Sequence, residues 1–227
     1  GGSLFDGCTG LTSVTLPSTI TTLSDSMFSG CTGLTSVTIP STVTSIGNET
    51  FFGCTALTSI TLPSSLTSLG TSTFSGCTGL ASVYFQGNAP TASSNTFTSV
   101  TAPGYRASDA TGWSSPFYGL TMTAQNRPTV TTPTSASIAA TTATLGGNVT
   151  AAGDTSLTAV GVVYAPTTTN ANPQLNGTSV TNLTSSAATG VMALSATGLT
   201  AGTGYSYAAY ATNSVGTTYA TVSAITT

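Results

Sequence analysis

The sequence has no histidine and no lysine, and its 227 residues include only two arginines and five acids. Each absence closes a class of chemistry. Without His or Lys, neither a Ser-His-Asp triad nor a lysine base can be assembled. The acids Asp6, Asp25, Glu49, Asp109 and Asp154 are scattered rather than placed as the close carboxylate pair that glycoside hydrolysis requires. The chain therefore reads as a non-enzyme. Two arginines, Arg106 and Arg127, cannot neutralise a row of phosphates, which excludes nucleic acid as a partner. A net charge of −3 is too diffuse to steer a charged ligand. No apolar run reaches the roughly 18 residues of a membrane span, and the first residues do not form a signal peptide. The cysteines lack the C-x-x-C spacing of a zinc site. No cofactor and no metal are expected.

Hydroxyls fill the place that charge leaves. Ser and Thr supply 84 residues, while charged residues are 3% against about 25% in an ordinary soluble domain. Such a composition suits disorder only if the apolar residues are also few. Here they are 39% and strictly placed.

The placement is a 23-residue repeat. Phe5, Phe28, Phe51 and Phe74 form one column; Cys8, Cys31, Cys54 and Cys77 form another. Leu11/Leu34/Leu57/Leu80, Val14/Val37/Ile60/Val83 and Leu16/Ile39/Leu62/Phe85 follow the same step, as do the Pro17, Ile20 and Leu23 columns. A unit this short cannot bury its own apolar face, so consecutive units must stack into one continuous core. Within each unit "LTSVTLP" reads as a short strand whose Val and second Leu point inward, ended by a proline that lacks a donor. The F-x-x-C-x-x-L spacing of three suits a helical or 3₁₀ turn on the opposite side.

The pattern F-x-x-C-x-x-L-x-x-[VI]-x-[LI]-P-x-x-[IVL]-x-x-[LI] resembles the BspA-type leucine-rich repeat of bacterial and some protist surface proteins. The resemblance covers residues 1–85 and implies a β-solenoid. Residues 83–120 resemble the closing segment of such arrays, with Trp113 and Phe117, beside Tyr118, covering the last core; a ligand platform is the other reading of these aromatics. No matching N-terminal cap is present. The expectation is that the array continues in a longer protein or that another subunit covers the edge.

After residue 128 the period stops. Candidate strands "SASIAAT", "ATLGGNV", "TAVGVVYAP", "GVMALSAT", "YSYAAYATNSV" and "TYATVSAIT" follow at roughly ten-residue intervals, the pattern of an all-β sandwich. "LTAGTGYSYAAYATNSVG" resembles the fibronectin type III pattern. That resemblance implies Leu199 in the core and Tyr205 as the corner tyrosine, its hydroxyl tied to nearby backbone. The early core Trp of that family is missing here, and no RGD is present. The expected organisation is a solenoid with cap at 1–120, a linker at 121–129 and a sandwich at 130–227, mainly β throughout.

Four cysteines in one inward column read as buried free thiols, with Cys8–Cys31 and Cys54–Cys77 pairing as the alternative. Asp25, Asn48 and Thr71 share a column beside Glu49; they read as solvated loop residues, with a weak Ca²⁺ site as the alternative. The four N-x-[ST] sequons at Asn48, Asn148, Asn176 and Asn182 are the number a Ser/Thr-rich chain yields by accident. One surface pattern stands out. Ser13/Thr15, Ser36/Thr38 and Ser59/Thr61 line up as two outward rows ending in Ser82/Tyr84. They read either as well-solvated strand residues of high β-propensity or as a ligand face for glycan or host protein, with ice binding a remote third.

These readings predict an extracellular, cell-surface structural or adhesive module. Its partners would be copies of itself joined head to tail into a fibre, neighbouring domains of a longer chain, or a glycan or host protein on the hydroxyl face.

Overall fold

The computed structural model describes residues 3–227. The chain forms two compact units, Gly1–Gln125 and Asn126–Thr227, and is β throughout the described residues, with no helix.

The first unit is a leucine-rich-repeat-like solenoid whose 23-residue turns each contribute to parallel ladders. One wall consists of β1 (Ser13–Val14), β3 (Ser36–Val37), β5 (Ser59–Leu62), β7 (Ser82–Phe85), β8 (Gly104–Ala107) and β9 (Met122–Gln125). In it β1 pairs with β3, and β5-β7-β8-β9 form one four-stranded parallel sheet. A second wall, not expected from the sequence, is β2 (Thr22–Leu23), β4 (Ser45–Ile46) and β6 (Ser68–Leu69), extended by a bridge from Ser68 to Thr91. These two-residue rungs are too short to show alternation. On the third side, where a helical or 3₁₀ turn was expected, the chain forms single i→i+3 turns of the 3₁₀ kind. Cys31 N donates to Phe28 O and Leu34 N to Cys31 O, while Phe28 and Gly30 donate instead to Thr50 O and Phe52 O of the next rung. Because alternate N–H groups are spent between rungs, no helix propagates. Gly7, Gly30, Gly53 and Gly76 close these turns at φ of 67° to 77°, where a side chain is disfavoured.

Inside the ladders, the phenylalanine column is a stack of parallel rings. Centroids are 5.4 Å from Phe5 to Phe28 and from Phe28 to Phe51, 5.3 Å from Phe51 to Phe74, and 5.5 Å on to Phe97. Rungs approach so closely at Gly70 that a Cβ there would lie 2.5 Å from the backbone nitrogen of Asn48.

Much of the hydroxyl content now has a structural reason. Thr35, Thr44, Thr58, Thr67 and Thr91 each donate to a carbonyl one turn back. Thr50, Thr73 and Thr96 are fully buried and donate to carbonyls at Ser24, Gly47 and Gly70. A hydroxyl bridges neighbouring rungs without the desolvation cost of a charge.

Residues 83–120 continue the solenoid rather than only covering it, since β8 adds a further parallel rung, followed by β9. Met122–Gln125, placed by the sequence in a linker, form the last rung because Gly104 N donates to Thr121 O and Ser108 N to Gln125 O.

The second unit has two sheets. The first is β10 (Thr129–Ala136), β11 (Thr142–Ala151) and β14 (Gly190–Thr197), in the order β10-β11-β14. The second is β12 (Ala159–Pro166), β13 (Thr181–Ser185), β15 (Gly204–Asn213), β16 (Gly216–Tyr219) and β17 (Ser223–Thr226), ordered β13-β12-β15-β16 with β17 also on β15. The first candidate strand was displaced: only Ser135 and Ala136 of "SASIAAT" belong to β10, and the exposed residues that follow form the bend into β11. Leu145, Val149, Val162, Met192, Leu199, Tyr205, Tyr207 and Ile225 fill the core. Tyr210, on the opposite face of β15, packs with Val163 and Ala208. Gly147 of β11 faces Ala209 so closely that a Cβ there would sit 2.4 Å from the alanine methyl.

Candidate functional site

The strand face of the first unit is where the sequence placed its candidate ligand residues. Along β5, Ile60 and Leu62 turn inward and are buried, which turns Ser59 and Thr61 to solvent. The same alternation exposes Ser13, Thr15, Ser36 and Thr38 and half-exposes Ser82 and Tyr84. Ser13 is in register with Ser36, and Ser59 with Ser82. Thr61 pairs with Tyr84, Tyr84 with Tyr105, and Tyr105 with Thr123. Sequence reading missed Tyr105 and Thr123, because β8 and β9 lie beyond the strict repeat. The stretch "GYRA" shows no alternation, since Gly104 and Ala107 are both buried around the half-buried Tyr105 and Arg106. The two tyrosine rings stack with centroids 5.1 Å apart and an interplanar angle of 20°.

Arg106 does not join this row. It is in register with the inward Phe85, and its Nη1 donates to the carbonyls of Ala107 and Ala110 at 3.1 and 3.4 Å. The face is therefore free of charge as well as rich in hydroxyls.

The cap aromatics pack inward. Phe85 meets Trp113 and Phe117 edge-on at 4.7 and 5.8 Å, Phe117 is buried and Trp113 half-buried, while Tyr118 is exposed rather than covering the core.

The cysteine column is free of disulfides. Cys31, Cys54 and Cys77 are buried and each thiol donates to a phenylalanine carbonyl one rung back, at 3.0, 3.2 and 3.0 Å from Phe5, Phe28 and Phe51. Cys8 departs from the expectation: it is exposed, since no described rung precedes it. Phe5 is likewise only half-buried. Burial raises the Cys31 thiol and pushes Cys54 and Cys77 up to about 12, so neither is a nucleophile near neutrality.

The Asp25 column staples rungs together. Asp25 Oδ1 accepts from Asn48 N at 2.7 Å, Asn48 Nδ2 donates to Asp25 Oδ2 at 3.3 Å, and Asn48 Oδ1 accepts from Thr71 N at 2.8 Å. Its oxygens are thus committed to the neighbouring rungs, and among the described residues no three His, Cys, Asp or Glu side chains gather as metal ligands. In the second unit the Tyr205 hydroxyl accepts from Thr200 N at 3.0 Å.

Residues 1–102 match the BspA type leucine rich repeat region, in six copies. The BspA-type region thus takes in every regular repeat and the start of the closing rungs. Among solved structures the chain is similar to a leucine rich cell surface protein of Faecalibacterium prausnitzii, with 40% identity over 37% of this chain and 22% of that one and a TM-score of 0.36. It is also similar to a leucine-rich repeat protein of T. pallidum (27% identity, 53% of this chain and 59% of that one, TM-score 0.44). A third is a leucine-rich repeat protein of Bacteroides ovatus (34% identity, 46% and 24%, TM-score 0.34). The chain spans less than two thirds of each of these. No curated protein matches it.

Proposed function

We propose that the chain is a non-enzymatic structural or adhesive module of a bacterial surface protein, a BspA-type solenoid joined to a fibronectin type III-like sandwich. The observation that carries this reading is the pairing of a BspA-type repeat match over residues 1–102 with an outer strand face built of hydroxyls and two tyrosines and no charge. The module recognises or supports, and its buried thiols Cys54 and Cys77 are held protonated. Among the described residues no helix is long and apolar enough to cross a membrane.

Its partners are other copies, neighbouring domains of a longer chain, or a ligand on the strand face. Any rung edge of a parallel ladder offers the same unpaired N–H and C=O groups to a second copy, which supports head-to-tail stacking into filaments. Immunogold labelling of intact source cells tests the location: gold at the envelope supports the reading, and gold confined to the cytosol refutes it. Negative-stain electron microscopy of the concentrated protein tests stacking, where dispersed monomers alone would sink the filament version.

A further inference from the structure

Four exposed or half-exposed side chains stand in one register row across the four-stranded wall: Thr61, Tyr84, Tyr105 and Thr123. The strict repeat puts threonine at this position in three successive rungs, at Thr15, Thr38 and Thr61, and tyrosine in the next, at Tyr84; strand pairing adds Tyr105. Tyr84 and Tyr105 cover one another on one side only, with rings 5.1 Å apart and 20° from parallel. On its other side Tyr84 stands over the row position of Thr61, and Tyr105 over that of Thr123. Both threonines are far shorter than a tyrosine, so each ring keeps one open face above a hydroxyl. Buried aromatics of the same unit have no such face: Phe51 is covered by Phe28 and Phe74 on its two sides.

We propose that the two open tyrosine faces, with the threonine hydroxyls beneath and beside them, form a binding site for a neutral polysaccharide. This deepens the surface-module reading and rests on it for where the ligand is met. The chemistry selects the ligand. A pyranose offers an apolar C–H face to an aromatic ring and a rim of hydroxyls to neighbouring donors and acceptors. Thr61 is the row neighbour of the pair on one side, and Thr123 on the other. Each hydroxyl both donates and accepts, which suits a sugar rim and not an anion, and the one nearby cation, Arg106, is turned to backbone carbonyls. The row from Thr61 to Thr123 covers three strand steps, roughly 14 Å at about 4.8 Å each, so an extended chain of several sugar units fits along it.

The test is titration of the purified full chain with cellohexaose, chitohexaose and mannohexaose, read by saturation-transfer NMR and calorimetry, with an oligogalacturonate as the acidic comparison. At least one neutral hexasaccharide binds, and Tyr84→Ala or Tyr105→Ala each weakens it about tenfold, the effect of losing one stacked ring. Thr61→Arg, which keeps both tyrosines but fills the open face of Tyr84, abolishes binding while the Trp113 fluorescence transition stays at its wild-type midpoint. Thr22→Arg, on the other wall, leaves binding unchanged. Absence of binding to all three neutral sugars at millimolar concentration overturns the proposal. So does tighter binding of the acidic oligomer, or affinity unmoved by Thr61→Arg. Because the measurement uses purified protein, a negative result speaks against the site, whereas immunogold on cells speaks separately to the surface location.

Discussion

Phe51 is the most informative residue to remove. Its ring has no exposure and is stacked between Phe28 at 5.4 Å and Phe74 at 5.3 Å. Phe51→Ala deletes the transfer free energy of a buried ring and leaves a cavity that two flanking rungs cannot close, a loss of about 3–5 kcal/mol. Both stacking contacts go with it, and each aromatic pair contributes roughly 0.5–1.5 kcal/mol beyond area. Phe5 is the internal comparison, being half-buried with one parallel neighbour, Phe28; its replacement by Ala costs about 1–2 kcal/mol. The assay is built into the chain. Trp113 is the only tryptophan and packs against Phe85, so its fluorescence during urea or thermal unfolding reports the first unit alone. For a unit of this size the Phe51→Ala loss corresponds to a midpoint lowered by roughly 10–20 °C. Equal losses for the two variants, within about 0.5 kcal/mol, would refute the nearest-neighbour stacking on which this rests.

Other consequences follow from the same ladders. In the folded 227-residue chain Cys8 reacts promptly with a maleimide at pH 8, and all four thiols react in urea; fast labelling of Cys54 or Cys77 without urea would contradict their burial. Burial lifts these two thiols from 9.0 to about 12, so they stay protonated in the fold after the unfolded chain has begun to ionise. Their contribution is complete below pH 9 and is lost upward through that window, at about 1.4 kcal/mol per thiol per pH unit. A Cys54→Val/Cys77→Val variant flattens the alkaline loss in a urea series, with Val100 showing that the column accepts a buried valine. Gly70→Ala forces a Cβ to 2.5 Å from backbone and lowers the first unit's midpoint sharply, whereas Gly10→Ala meets nothing within 4 Å and changes it by less than about 0.5 kcal/mol. In the second unit, Tyr205→Phe leaves Thr200 N without its acceptor and costs about 1–3 kcal/mol, measured on that unit's calorimetric transition.

The inward columns were legible because they obey one strict period, and a continuous core needs each of them in every rung. What escaped was whatever does not alternate. The wall of β2, β4 and β6 is made of two-residue rungs, which share the period but show no inside-outside pattern. Its hydroxyls, with Thr50, Thr73 and Thr96, looked like surface when many of them bond between turns. On the third side the spacing of three left helical and 3₁₀ turns open; the turns stay single i→i+3 because the inter-rung bonds at Phe28 and Gly30 take the donors a helix would use. Of the candidate face, the three regular repeats and Tyr84 were readable. Tyr105 and Thr123 join it only through pairings of β8 and β9, which carry no repeat to align them.

The central claim, that the solenoid with its uncharged strand face serves as an adhesive or structural surface module, is tested most directly on cells. Adherence of intact source cells to polysaccharide-coated and host-matrix-coated surfaces should be measured with the native gene and with residues 3–125 removed in frame. The account predicts a clear loss of adherence, or a disrupted envelope layer in the same preparation under the electron microscope. Cells that adhere as before with an unchanged envelope would contradict it.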